Sequence, residues 1–315
     1  MSTKKCSIII VNYNVADLLI ECVKSINSTE SDLILEIIVV DNNSNNDDKK
    51  KLMEIAAQQK IRLVLNFQNV GFAAANNQVL SDLNSDYVVF LNPDTKIIEP
   101  YTFDRLISVL ESSEKIGVCG PKILFGDGTL QLSCGSYPTP LRFLSELLYL
   151  THFFPKLFPG YRYSNWQHNH RKEVDWVSGA CLVIKYNVLK MIFGFDDMLS
   201  FYMEDVDLCT RVIMKGYKII YEPSVYLIHF EGQSSRQTRE TAVITGYFSK
   251  LKFYSKYHRK STVELIRIGF IASTILKLIV LFPFKMASKK YGPLFNSYYV
   301  ALRQLLVMGR KKSIA

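Results

Sequence analysis

Apolar and polar positions along the first 121 residues sort into two kinds of element. Short runs dominated by Ile, Val and Leu occupy residues 6–11, 37–40, 61–65 and 87–91, the pattern of strands buried on both faces of a parallel sheet. Between them, residues 17–26, 47–57 and 73–83 repeat apolar positions at helical spacing, with Asp17 and Asp47 placed as N-caps or first-turn acids. Strand–helix alternation of this kind predicts a doubly wound α/β sheet with crossover helices. Ligands bind such sheets beyond the carboxyl ends of the strands, so the residues that follow each strand are the first candidates for chemistry.

Those residues are polar at all four strand ends. Asn12-Tyr13-Asn14 follows the first strand, Asp41-Asn42-Asn43-Ser44-Asn45-Asn46 the second, Asn66 and Asn69-Val70-Gly71-Phe72 the third, and Asn92-Pro93-Asp94 the fourth. Tight turns account for Asn, Asp and Gly one at a time. They account less well for acceptors and amides gathered at one predicted edge. No GxGxxG follows the first strand and no GxxxxGK[ST] occurs, which removes the main support for a dinucleotide oxidoreductase or a P-loop enzyme.

The pattern breaks over residues 131–175, where Pro138, Pro140, Pro155 and Pro159 stand among many aromatics; a long loop or cover beside a site is expected. His168-Asn169-His170 has no third ligand nearby and reads as solvated loop rather than a metal site. Residues 174–184 read as one strand kinked at Ser178-Gly179-Ala180. A helix then begins near Glu204 and ends before Gly216, with Glu204 and Asp205 in its first turn and Asp207 and Arg211 spaced to pair on the surface.

Composition narrows the class. Of 315 residues, 48% are hydrophobic and 21% charged, which excludes a disordered chain. Six dispersed cysteines with no CxxC pair argue against a zinc ribbon or disulfide scaffold, and Met1-Ser2-Thr3-Lys4-Lys5 shows no secretory pattern, so a reducing cytoplasmic setting is the expectation. The net charge of +9 is uneven: residues 250–315 carry 14 Lys/Arg and one acid, leaving 24 Lys/Arg against 28 acids in residues 1–249. Within the tail, residues 265–284 are apolar but interrupted by Arg267 and Lys277. A central Lys costs about 3 kcal/mol in a spanning helix, so a helix lying in an anionic membrane surface is favoured over a span, and over a packed helix with a solvated basic face. Nucleic acid is set aside for want of a recognisable module.

Several segments together resemble an inverting family 2 glycosyltransferase of the A-type nucleotide-sugar-binding fold: Ser7-Ile-Ile-Ile-Val-Asn-Tyr-Asn14, Val39-Val-Asp-Asn-Asn-Ser44, Asn69-Val-Gly-Phe-Ala-Ala-Ala-Asn76, Phe90-Leu-Asn-Pro-Asp94, Gly179-Ala180, Met203-Glu-Asp-Val-Asp-Leu-Cys-Thr-Arg211 and His229-Phe-Glu-Gly-Gln-Ser234. The order and spacing cover about residues 5–240, and the nearest likeness is to rhamnosyltransferase-like members that build bacterial surface polysaccharides. The resemblance implies a Rossmann-like, mostly parallel sheet with a helical C-terminal extension. It divides the chain into residues 1–249, with an acceptor half from about 122, and a membrane-associating region 250–315. It implies that Asn12 and Tyr13 line the nucleoside pocket, that Asp41 accepts from a pyrimidine, and that Gly71, Phe72, Asn76 and Gly179 hold the donor. Asn92-Pro93-Asp94 stands in the place of the DxD metal motif, with Asn for the first Asp. Asp94 and His229 would then bind Mg²⁺ or Mn²⁺, Asp205 would be the catalytic base, and Glu204 the alternative base or an acceptor-orienting group.

The implied donor is a nucleotide sugar, dTDP-L-rhamnose first. The implied acceptor is a polyprenyl-linked saccharide or growing glycan, at the cytoplasmic face of the bacterial inner membrane, with peripheral attachment. Two rivals stay open. A sugar nucleotidyltransferase would carry a Gly-rich basic turn after the first strand, which Asn12-Tyr13-Asn14 does not supply. A catalytically silent, membrane-bound scaffold of the same fold would have no use for Asp94 and Asp205. Oligomeric state is not encoded in any of these signals.

Overall fold

The computed structural model describes residues 4–59, 61–199, 202–230 and 239–310. The chain forms two compact units. The first comprises Met1–Tyr137, Arg162–Ser200 and Glu204–Ser234; the second comprises Pro138–Tyr161, Phe201–Met203 and Ser235–Ala315. The helical unit thus begins nearer residue 235 than 250 and takes in a piece of the middle of the chain.

In the first unit the apolar runs form the strands β1 (Cys6–Asn12), β2 (Ile34–Asp41), β3 (Ile61–Leu65) and β4 (Tyr87–Leu91), joined by helices α1 (Ala16–Asn27), α2 (Asn46–Gln58) and α3 (Phe72–Asn77). The last of these is shorter than the periodicity of residues 73–83 predicts, because a 3₁₀ turn at Leu80–Asp82 takes over. After β5 (Thr95–Ile97) and α4 (Thr102–Glu111) the sheet continues with β6 (Ile116–Leu124) and β7 (Leu130–Gln131). The sheet order is β3-β2-β1-β4, then β11 (Cys181–Lys185), β6, β12 (Lys218–His229) and β5, with β7 on β6 and β9 (Lys172–Val174) on β12. The long ladders β1–β2, β1–β4, β2–β3 and β6–β12 are parallel. β11 is antiparallel to both its neighbours. Its core is continuous: Ile8, Ile10, Val39 and Val89 of the sheet pack with Leu19 and Val23 of α1 and with Phe103, Leu106 and Leu110 of α4.

Helix ends are secured across elements. The Asn45 side chain accepts from Asp48 N at the start of α2, and Asp48 in turn accepts from Ala16 N at the start of α1 (2.8 Å). Asp17 and Asp47 are first-turn acids and not caps.

Residues 174–184 are not one strand. The segment ends β9 and then forms β10 (Trp176–Val177), which pairs with β8 (Cys134–Gly135) in a separate ribbon, before the Ser178-Gly179-Ala180 turn opens β11. A Cβ on Gly120 of β6 would stand 2.7 Å from Val177 Cβ, so only glycine lets β10 lie this close. His168, expected in solvent, is buried: its Nε2 lies 2.8 Å from Tyr163 O and its ring packs on Trp166 and Tyr221. The Asp207–Arg211 pair is likewise internal. After α7 (Tyr186–Met191), helix α8 (Glu204–Met214) buries Asp207 completely, and Arg211 joins it (2.7 Å) while donating to Ile192 O and Gly194 O (2.6 and 2.7 Å).

The second unit is helical, and this corrects the expectation of a long loop over residues 131–175. Part of that segment forms α5 (Pro140–Leu147), opened by the Thr139 cap with proline in its first turn, and α6 (Leu150–Phe153). Three further helices follow, α9 (Arg239–Tyr257), α10 (Lys260–Ala287) and α11 (Gly292–Arg310). Phe143 of α5 meets Tyr254 at 5.2 Å and Phe270 at 5.5 Å, and Tyr254 Oη donates to Pro138 O (2.7 Å). A side chain at Gly269 would strike Leu144, so α10 and α5 touch backbone to side chain. Lys277 turns inward over the Tyr247 and Tyr298 rings (6.0 and 5.2 Å).

Removing one partner of a buried ion pair strands the other charge, at a cost of about 3–5 kcal/mol. Arg211→Ala is therefore expected to lower the thermal midpoint by roughly 6 °C or more, measured by calorimetry; a change of a degree or less contradicts this role for the pair.

Candidate active site

The site is built by strand pairing. β5 runs antiparallel to the end of β12 with Thr95 opposite His229, and Phe230 N donates to Asp94 O (2.9 Å). That register brings together residues 135 positions apart: His229 Nε2 lies 3.1 Å from Asp94 Oδ1 and 3.2 Å from Asn92 Nδ2. Both ring and carboxylate are buried, at 6% and 5% exposure. The other ring nitrogen, Nδ1, lies 3.0 Å from Gln131 Oε1 on β7. That contact orients the ring with Nε2 turned towards the Asp94 carboxylate. An imidazole nitrogen and a carboxylate oxygen converge, a donor set that a divalent cation satisfies with diphosphate oxygens as further ligands. Asp94 and His229 thus fit the metal role read from the sequence. Among the described residues no third His, Cys, Asp or Glu joins them.

A second group forms around the turn before β11. Gly179 N donates to Asp205 Oδ2 (3.0 Å), and Val206 N donates to Asp205 Oδ1 (2.8 Å). A Cβ at Gly179 would lie 3.6 Å from Asp205 Cβ and 4.0 Å from the Phe72 ring, so Asp205, Gly179 and Phe72 border one spot. Phe72 is held edge-on against Phe195 (5.6 Å), and Gly71 before it has φ 86°, a backbone suited to glycine. The two groups are linked, since Asn92 N donates to Ala180 O (3.0 Å). Neighbouring residues of one short turn therefore hold the Asp94 segment on one side and Asp205 on the other.

The adjacent acids of α8 are unequal. Burial pushes both upwards, Glu204 further by the nearby charge of Asp205. Asp205 is offset by the N–H groups of Gly179 and Val206 and by Arg162, whereas Glu204 Oε2 is buried with no hydrogen-bond partner among the described residues. Of the two, Asp205 has the N–H donors that favour a charged carboxylate, and Glu204 lacks them. Burial, more than repulsion from Glu204, is what raises the Asp205 carboxyl.

Other expected site residues are placed differently. Asp41 is fully enclosed: Oδ1 accepts from Asn12 Nδ2 (2.9 Å) and Ser44 Oγ (2.5 Å), and Oδ2 from Ser44 N (3.0 Å). Its carboxylate thereby ties the ends of β1 and β2 at the wall of the site. Asn12 is buried in the same knot, while Tyr13 beside it stays half-exposed. Asn76 turns inward and donates to Phe72 O (2.9 Å), supporting the Gly71–Phe72 turn from behind. Asn42, buried, donates to Asn69 Oδ1 (2.9 Å) and accepts from Val70 N (3.0 Å), fixing the same turn. Gln131 and Arg162 had no motif to mark them; only β7 pairing and the return of the chain at Arg162 bring them in.

A mixed, mostly parallel sheet with polar and acidic residues gathered at its carboxyl edge is the architecture of the A-type glycosyltransferase fold. Residues 7–166 match glycosyl transferase family 2, about half of the chain, and the chain belongs to that family. It is 26% identical over 211 residues to the N-acetylglucosaminyl-diphospho-decaprenol L-rhamnosyltransferase of Mycobacterium tuberculosis, covering 63% of this chain and 68% of that one. It is 29% identical over 93 residues to the rhamnosyltransferase WbbL of Escherichia coli, 30% of this chain and 31% of that one. Among solved structures, the mannosyltransferase PcManGT of Pyrobaculum calidifontis, in complex with GDP-Man and Mn²⁺, superposes with a TM-score of 0.54 at 16% identity, covering 96% of this chain and 86% of that one. That likeness is one of fold.

The Glu204 environment has a measurable consequence. A carboxyl raised in the folded state binds more protons than in the unfolded chain, so its contribution is full below the ordinary glutamate value of 4.5 and is lost as pH rises above it. Glu204→Gln is expected to raise the thermal midpoint by about 2–4 °C at pH 8–9 and by much less at pH 4.5. A gain that is independent of pH, or a loss at pH 8–9, contradicts the assignment.

Proposed function

We propose that the chain moves a hexose, rhamnose from dTDP-L-rhamnose as the leading donor, with inversion onto a polyprenyl-linked saccharide or growing surface glycan. The observation that carries this reading is the shared Gly179-Ala180 turn, which ties Asp205 to the Asp94–His229 pair through two backbone hydrogen bonds. The names of the mycobacterial and E. coli relatives support rhamnose as the sugar and a lipid-linked acceptor as its target.

The residues of the chain divide the work. Tyr13, Gly71 and Phe72 border the donor, with Asn12, Asp41 and Asn76 holding that wall from within. Asp94 and His229, with Asn92 beside them and Gln131 orienting the ring, would hold Mg²⁺ or Mn²⁺; a carboxylate with an imidazole suits Mn²⁺ the better. The bound cation supplies neutralisation of charge on the departing diphosphate. Inversion requires in-line attack. The acceptor oxygen forms its bond to the anomeric carbon while the bond to the diphosphate oxygen breaks, its electron pair leaving with the nucleoside diphosphate. The acceptor hydroxyl proton passes to Asp205, whose charged form two N–H donors and Arg162 favour against the effect of burial. Glu204, protonated, is suited to donating a hydrogen bond to the acceptor and is the less suitable base.

The second unit fits a chain working at a membrane. Helix α10 is long and apolar enough to cross a bilayer, yet it buries Ile266, Gly269, Phe270, Ser273 and Thr274. Its exposed remainder, with the basic tail, supports peripheral attachment to an anionic surface, at the cytoplasmic face of the inner membrane. Holding enzyme and lipid-linked acceptor on one surface raises their effective concentration.

Incubation with a panel of nucleotide sugars, Mn²⁺ or Mg²⁺ and lipid-linked acceptors is expected to release nucleoside diphosphate; release of pyrophosphate would make the chain a nucleotidyltransferase, and no donor consumption would leave a silent scaffold. Asp205→Asn is expected to lower turnover about 10²–10⁴-fold with donor affinity retained, read by calorimetric titration beside the rate; undiminished turnover removes Asp205 from the mechanism. Asp94→Ala is expected to abolish the dependence of donor affinity on metal, and an unchanged metal dependence contradicts its role.

A further inference from the structure

The second unit also exposes apolar side chains away from its long helix, most densely just after α6. Phe153, Phe154 and Leu157 lie within five residues and are 69%, 55% and 74% exposed. Lys156, also exposed, stands among them. The segment leaves α6 as a tight turn, with Leu157 N and Phe158 N both donating to Phe154 O (3.1 and 3.0 Å), and Pro155 and Pro159 prevent the helix from continuing. Its base is firmly packed, since Phe143 on one side and Tyr161 on the other are buried. Two phenylalanines and a leucine are thus held out in water by a rigid support, where apolar surface is expensive unless something covers it.

The rest of the unit indicates what covers it. α5, just before the tip, is seated on α10 through Leu144 against Gly269 and through Ser273 Oγ, which donates to Leu147 O (3.2 Å). Further along α10, Ile279, Phe282, Phe284 and Met286 are at least half exposed. The unit as a whole carries eighteen Lys/Arg against three acids, a balance of +15, while the first unit is acidic at −6. An apolar tip bearing a single Lys, on a strongly basic support, matches the acyl boundary and anionic headgroups of a bilayer in both respects.

We propose that residues 153–157 form a second membrane-inserting element, entering the headgroup–acyl boundary of an anionic bilayer alongside the exposed part of α10. This rests on the membrane-associated reading of the second unit and adds a separate point of contact, built from the middle of the sequence.

All six cysteines are buried free thiols, so Leu157→Cys in the full chain can be labelled selectively with an environment-sensitive fluorophore. On phosphatidylglycerol-containing vesicles its emission is expected to shift to the blue and to be quenched by lipid-borne quenchers placed near the headgroups. Phe153→Asp with Leu157→Asp is expected to weaken partition onto those vesicles by at least about tenfold at an unchanged thermal midpoint. A chain that sediments with vesicles while the probe stays water-like overturns the inserting tip and leaves tail attachment standing. A chain that does not sediment at all overturns both. Self-association that the double substitution abolishes, with vesicle binding intact, would assign the tip to a second copy and overturn the proposal.

Discussion

The arrangement proposed for catalysis depends on one turn. Ser178-Gly179-Ala180 interrupts what would otherwise be a single strand, and its backbone is used from both sides: an amide held by the Asp205 carboxylate, a carbonyl held by the amide of Asn92. Side chains at position 179 would enter the space bordered by Asp205 and Phe72. The close packing of β10 on β6, possible only at Gly120, delivers the chain to this turn. A carboxylate from a helix late in the chain and the segment after β4 that carries Asp94 are thereby referred to the same few backbone atoms.

Around that turn, electrostatics separates the functions. The two neighbouring acids of α8 share burial but not donors, and that difference favours charge on Asp205 over Glu204. At the other end of the site the Asp94–His229 pair is kept nearly dry, with Gln131 fixing the ring. In the proposed reaction the first group accepts the proton and the second faces the diphosphate.

The first half of the fold was legible because parallel strands buried on both faces announce themselves as unbroken Ile/Val/Leu runs, and all four fell within a few residues of their observed limits. Asn92, Asp94, Asp205 and His229, the candidates for the proposed chemistry, stand out through their motif order and not through any local physical signal; Gln131 and Arg162, which the fold brings beside them, had neither. Asp41 illustrates the converse. Its position at a strand end marks it in the sequence, but the bonds its carboxylate takes from Asn12 and Ser44 follow only from the folded pairing of β1 with β2. The middle segment hid its helices because its prolines and aromatics read as irregular, and its stabilising partners, Tyr254 and Phe270, lie more than a hundred residues further on. His168 was misjudged for the same reason: the aromatic cage of Trp166 and Tyr221 is a tertiary product.

The most direct measurement of the central claim is a crystal structure with a nucleoside diphosphate sugar and Mn²⁺, using the anomalous signal of the metal. The account predicts manganese against Asp94 and His229 and the anomeric carbon on the side of the Gly179-Ala180 turn that faces Asp205. Manganese elsewhere, or a sugar whose anomeric carbon is turned away from Asp205, would contradict it.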